Sequence, residues 1–193
     1  VALARDLRER LAHIRGLGGA PYSERGRRNA IAPDGATALV AIAAAVAPRT
    51  ILELGTGLGA STLCFAHGCA ADRIDSVEAD GKAARLAAEH VRAGDHGDRV
   101  RIWAERSDVA IARIGGAIPF PELVFIDHEK SLYGRDGRAV HARMAGRGWV
   151  LVADNTTDRR AEMADFHAWV VAAASSCREV PTASGLIVAR FGA

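Results

Sequence analysis

The stretch ILELGTGLGAS, residues 51–61, constrains the fold of this chain more than any other. An apolar run (Ile51, Leu52, Leu54) carries one acid, Glu53, and breaks into three alternating glycines, Gly55, Gly57 and Gly59. A helix-compatible segment, STLCFAHG, follows. A buried strand that stops in a glycine turn and restarts as a helix is how α/β proteins hold a nucleotide-like ligand. The glycines let the backbone turn tightly against the ligand, and the helix start offers unpaired N–H groups.

The rest of the chain repeats the same rhythm. Residues 2–18 place Leu3, Leu7, Leu11 and Ile14 on one helical stripe with an arginine-rich outer face. Residues 18–29 read as a loop, whose Arg25, Arg27 and Arg28 suit a phosphate contact or plain solvation. Pro33-Asp34 opens a second helix to Val46, and Pro48 stops it. From Arg49 onward, strands are expected at 50–54, 73–78, 99–104, 123–127 and 149–153. Helices are expected at 82–93, from Asp108, at 137–144 and at about 160–174. The tail, 177–180 and 185–190, reads as a paired antiparallel ending. Strands that are near-continuously apolar and alternate with helices imply a mostly parallel sheet covered on both faces. The expected architecture is one α/β domain over 1–193, with N-terminal helices in 1–48 and a Rossmann-like core in 49–193.

Composition excludes several classes. With 193 residues, 49% apolar content and a net charge of +2, bulk charge favours neither nucleic acid nor membrane. The longest apolar run, residues 38–47, is too short to span a bilayer. No signal peptide is read, and Cys64, Cys69 and Cys177 have no metal-type spacing. They are expected to be buried free thiols in a cytoplasmic protein.

In such a sheet, ligands bind beyond the carboxyl ends of the strands. Those ends carry Glu53, Glu78, Ser107, Asp127 and Asp154-Asn155. Glu78 lies about twenty residues past the first glycine, where a carboxylate accepts ribose hydroxyls. The glycine pattern fits dinucleotide sites and S-adenosylmethionine (SAM) sites alike, and a plain strand–helix turn stays open. Asp127, Asp154 and Asn155 are three hard oxygen donors suited to Mg²⁺ or a similar divalent cation, although an Asp after a strand is often only a helix cap. Lys130, three residues past Asp127, is a candidate general base, because a nearby dication and sulfonium disfavour an ammonium.

These motifs together, ILELGTGLGAS, SVEAD, the Ser107-Asp108 turn, VFIDHEKSLY and LVADN, resemble the catechol O-methyltransferase family of Mg²⁺- and SAM-dependent enzymes. The resemblance runs in order over residues 29–155. It implies a seven-stranded SAM-methyltransferase sheet with an antiparallel last strand. It also implies that Ile31, Glu53, Gly55 and Ser61 surround the methionine part of SAM, with Asp127 nearby. Glu78 would meet the ribose and Ser107 the adenine. Asp127, Asp154 and Asn155 would hold the metal, and Lys130 would be the base. Lys130, Asn155 and Tyr133 would face a small phenolic or catechol-like acceptor, with Tyr22 a further candidate for its pocket. Two departures bear on the acceptor. Glu129 stands where the mammalian enzymes have an aromatic residue, and the later acid that contacts a second hydroxyl has no clear counterpart, Glu179 being near it. Arg159 and Arg160 suggest an anionic substrate group or a solvated helix start. The alternatives are a tRNA-nucleotide methyltransferase of the same family, a nicotinamide-dependent oxidoreductase, and a SAM-binding module without activity. Nucleic acid is the less favoured partner, and a homodimer stays open.

Overall fold

The computed structural model describes residues 2–17 and 31–192. Seven strands form one sheet in the order β3-β2-β1-β4-β5-β7-β6. The strands are β1 (Thr50–Leu54), β2 (Arg73–Val77), β3 (Val100–Trp103), β4 (Leu123–Ile126), β5 (Trp149–Asp154), β6 (Ser176–Val180) and β7 (Leu186–Phe191). The first five run parallel, and β7 lies antiparallel to both β5 and β6. The helices are α1 (Arg5–Leu17), α2 (Pro33–Val46), α3 (Ala60–Gly68), α4 (Gly81–Ala93), α5 (Ser107–Ala112), α6 (Tyr133–Arg143) and α7 (Ala164–Ala173). The seven strands, the mostly parallel sheet and the antiparallel ending agree with the sequence reading. Among the described residues, no helix is long and apolar enough to cross a membrane.

Alternation along the strands divides the core in two. Ile51 and Phe125 pack with Leu11 of α1, Leu39 of α2 and Phe65 of α3 on one face. Leu52, Leu54, Val124 and Leu151 pack with Val140 of α6 and Phe166 of α7 on the other. Burial on both faces is why these strands lack polar–apolar alternation. Cys64 lies in the first core, where burial pushes its thiol up to about 12, while Cys69 and Cys177 are only partly covered.

Helix α6 begins at Tyr133, one turn before the sequence reading placed it. The segment YGRDGR looks like a loop because glycine weakens helices. Here its glycine serves packing, since a Cβ on Gly137 would come within 2.5 Å of the Trp169 ring of α7. Conversely, α7 starts at Ala164 rather than near Arg160, because residues 156–163 make turns.

Strand order reverses between β1 and β4, and the crevice at their carboxyl ends is where an open sheet binds its ligand. The two strand ends touch there through backbone alone. Gly55 has φ 107, and a Cβ on it would lie 2.2 Å from the Asp127 carbonyl oxygen. No L-residue side chain fits that contact. Gly55→Ala is expected to cost more than about 3 kcal/mol of stability, read as a large drop in Tm by circular dichroism.

Candidate active site

The glycine turn is held from below and from the side. Gly55 and Thr56 donate their backbone N–H groups to the Val77 carbonyl at 2.9 and 3.1 Å. The Glu78 carboxylate, buried beside β2, accepts from Gly57 N at 2.8 Å and from Asp80 N at 2.9 Å. On α4, His90 Nδ1 lies 2.8 Å from the Leu58 carbonyl and braces the turn from outside. Among the described residues, a Cβ on Gly57 would meet nothing within 4 Å, so none of them fills this side of the turn.

Glu53 is 0% exposed and accepts hydroxyl hydrogen bonds from Ser61, Thr62 and Ser76, each at 2.5 Å. Burial pushes its carboxyl upward from the ordinary range, against the pull of the three hydroxyls. Ser61 and Glu53, both read from the sequence as donor contacts, are thus bonded to each other at the start of α3. Ile31 is buried against the first turn of α2. The candidates Tyr22, Arg25, Arg27 and Arg28 lie outside the described residues.

The rim beyond β4 brings together Asp127, Lys130 and the Tyr133 hydroxyl. Lys130 sits in a single 3-10 turn (Lys130–Leu132) that hands over to α6. Its Nζ donates to Asp127 Oδ1 at 2.8 Å and to the Tyr133 hydroxyl at 3.0 Å. Lys130 and Asp127 keep 16% and 27% of their side chains exposed, so the pair is reachable from solvent. Tyr133 is different. Its ring is fully buried, edge-on to His128 and Phe166, and only the hydroxyl reaches the rim. Burial first, then the Asp127 charge, raises its phenol well above the ordinary value. The group that Tyr133 can present to a ligand is therefore its oxygen, not a planar face.

Asp154, at the end of the neighbouring strand, is buried, and this together with Asp127 pushes its carboxyl up to about 6. Its Oδ1 accepts from Ser184 Oγ at 2.6 Å and from Asn155 N at 2.7 Å. Asn155 adopts φ 61 and donates Nδ2 to Asp158 Oδ2 at 3.3 Å. Among the described residues, no three His, Cys, Asp or Glu side chains gather at metal-holding distance. The set read from sequence has two acids and an amide.

The start of α5 joins a network that the sequence reading touched only at Ser107. Asp136 is 1% exposed, with His128 Nε2 at 2.9 Å and Arg135 Nε at 2.7 Å. Arg135 Nη2 reaches Ser107 Oγ at 3.4 Å. Burial pushes the Asp136 carboxyl up, but His128, Arg135 and Ser107 outweigh it and bring it down to about 2. His128 directly follows Asp127 in DHEK, and that position was the available signal. Asp136 and Ser184 carried none. Arg159 and Arg160 pair with Glu162 and Glu179 at 2.9 and 2.5 Å, so the Glu179 carboxylate faces Arg160.

A family model described as a methyltransferase domain matches residues 52–156, more than half of the chain, and the chain belongs to that family. This agrees with the resemblance read from the motifs and sets aside the nicotinamide-dependent alternative. No curated protein sequence matches. Solved structures share the fold at low identity. An O-methyltransferase from Bacillus cereus in complex with SAH is 20% identical, with TM-score 0.80 over 99% of this chain and 92% of that one. The O-methyltransferase TomG from Streptomyces achromogenes, involved in tomaymycin synthesis and bound to SAM, is 18% identical, with TM-score 0.80 over 100% and 92%. The SAH-bound methyltransferase PaMTH1 from Podospora anserina is 17% identical, with TM-score 0.77 over 99% and 89%.

The raised Asp154 carboxyl gives a stability prediction. Its folded value, about 6, lies above the ordinary 3.8, so the folded state holds the proton more tightly. Stability of chelator-treated protein therefore falls as pH rises from about 4 to about 6, and the loss is complete above that window. Asp154→Asn should raise stability by about 2 kcal/mol at neutral pH, with the gain vanishing towards pH 4. Urea unfolding at both pH values measures it.

Proposed function

We propose that this chain is a SAM-dependent O-methyltransferase for a small acceptor bearing two neighbouring oxygens, as in a catechol, with Mg²⁺ or a similar hard cation at the rim. The observation that carries the reading is the convergence at adjacent strand ends of Lys130, Asp127 and Asp154, beside a glycine turn that no described residue fills at Gly57. The donor turn supports SAM. Ile31, Glu53, Gly55, Ser61 and Asp127 would surround its methionine part, Glu78 its ribose and Ser107 its adenine end. TomG and the Bacillus cereus enzyme, which share the fold, were crystallised with SAM and SAH respectively.

The rim residues suit a divalent cation. After burial, the Asp127 charge raises the cost of ionising Asp154, as expected of a carboxylate placed beside another where positive charge can be shared. Asp127, Asp154 and the Asn155 amide oxygen are all hard donors, with no imidazole or thiolate among them. Bound there, such a cation supplies charge that makes a coordinated hydroxyl more acidic.

The remaining chemistry belongs to the side chains. Asp127 and the Tyr133 hydroxyl hold Lys130 Nζ at the solvent-facing edge of the site. Unprotonated Lys130 takes the acceptor's O–H proton. The oxygen then bonds to the methyl carbon as the S–CH₃ bond of SAM breaks, giving the methyl ether and S-adenosylhomocysteine. Much of the acceleration comes from holding donor and acceptor in line. Glu129 directly precedes Lys130 where the mammalian catechol enzymes have an aromatic residue, which suits acceptors other than a bare catechol ring.

Lys130→Ala should lower kcat by about 10²- to 10⁴-fold while SAM affinity, measured calorimetrically, stays within about twofold. The assay is methyl transfer over catechols, hydroxycinnamoyl esters and phenolic antibiotic precursors, with Mg²⁺ and with EDTA. EDTA should abolish turnover and Mg²⁺ restore it. Turnover indifferent to EDTA would remove the cation, and full turnover by the alanine variant would remove Lys130 from its role.

A further inference from the structure

The turn at residues 181–185, between β6 and β7, is joined to both sides of the candidate site. Ser184 Oγ donates to Asp154 Oδ1 at 2.6 Å, and Asn155 N donates to the same oxygen at 2.7 Å. The Ser184 carbonyl accepts from Thr157 N at 3.0 Å and Asp158 N at 3.3 Å, and the Gly185 carbonyl accepts from Thr156 N at 3.2 Å. The docking is close, for Gly185 has φ 77 and a Cβ there would lie 2.1 Å from Thr157 Oγ1. On its other side, Ala183 N donates to Asp34 Oδ2 at 2.6 Å, while Asp34 Oδ1 accepts from Gly35 N at 2.8 Å. Asp34 lies in the first turn of α2, three residues after Ile31.

A carboxylate turns freely about its last bond unless donors fix its plane. Among the described residues, both donors to Asp154 fall on Oδ1, which orients the group and leaves Oδ2 as the oxygen to offer a cation. Asp154 is only 5% exposed, so it depends on these protein donors more than a solvated carboxylate would. Partners of this kind, one shell out from a ligand, set metal affinity by about 10- to 100-fold in other proteins.

We infer that Ser184 is a positioning residue for the cation site, holding Asp154 in its ligating orientation, and that Asp34 clamps the turn that carries it. The inference rests on the cation reading above. It makes the β6–β7 turn part of the site, although that turn contains no group expected to touch the cation or the acceptor.

The test is Mn²⁺ binding to the chelator-treated full chain saturated with S-adenosylhomocysteine, followed by electron paramagnetic resonance, with thermal unfolding of each variant alongside. Wild type should bind Mn²⁺ and Asp154→Ala should not. Ser184→Ala should weaken Mn²⁺ binding by about 10-fold or more, with S-adenosylhomocysteine affinity unchanged. Ser184→Thr, which keeps a hydroxyl, should restore binding to within about threefold of wild type. Asp34→Ala, which leaves Ser184 intact, should weaken binding in the same direction by a smaller factor. Wild-type Mn²⁺ affinity in Ser184→Ala, with binding lost in Asp154→Ala, would overturn the inference and leave the cation site standing. A lowered Tm with unchanged Mn²⁺ affinity would do the same, reducing the hydroxyl to an anchor for the hairpin. Unchanged affinity in Asp34→Ala would overturn the clamp. Equal binding by wild type and Asp154→Ala, or none by either, would remove the cation reading itself, and this inference with it.

Discussion

A carboxylate without access to water lies under everything the site does. Glu53 sits in the middle of the sheet, and Ser61, Thr62 and Ser76 bring hydroxyls to it from α3 and β2. Leaving such a group unsatisfied in a core costs several kcal/mol, so the three hydroxyls are obligatory partners rather than ornaments. Their consequence is geometric. Strand β1, strand β2 and the start of α3 are tied at one point, directly beneath the glycine turn, which gives that turn a rigid floor.

Above that floor, charge is arranged in two halves. Towards α5, Asp136 is matched by His128 and Arg135 and held well into its ionised range. Towards β5, Asp127 has Lys130, while Asp154 has donors but less opposing charge and is held towards its protonated form. The first half is electrostatically closed. The second is not, and this imbalance is what singles out the β4–β5 side for the proposed chemistry.

Much of this was legible in the sequence. Strand–helix alternation and unbroken apolar strands gave away the parallel sheet, and the paired tail gave away its antiparallel end. The strand-end acids were readable because a polar residue that closes an apolar run must lie at a sheet edge. What stayed hidden depends on contacts between distant segments. The glycine within α6 resembles a loop residue until Trp169 arrives from α7 to occupy the missing Cβ. Ser184 looks like any turn residue in Pro-Thr-Ala-Ser-Gly, since nothing local says that its hydroxyl meets Asp154. Tyr133 was read as part of a pocket, because the spacing D-x-x-K-x-x-Y places its oxygen at the rim but says nothing of its ring. Packing against His128 and Phe166 is what puts that ring in the core.

The two carboxylates of the rim differ in how far along the chain their holders come from. Asp127 meets Lys130 three positions on and Tyr133 six positions on. Asp154 depends on Ser184, 30 positions away, and the turn bearing that serine depends on Asp34, 149 positions from its partner. One half of the rim is thus a self-contained cassette that any chain carrying this short run brings with it. The other is completed only when the last hairpin folds back and the second helix meets it. Variation in the tail therefore acts on one carboxylate and spares the other, which lets a lineage retune the far side of the site while Lys130 and its partners stay in place.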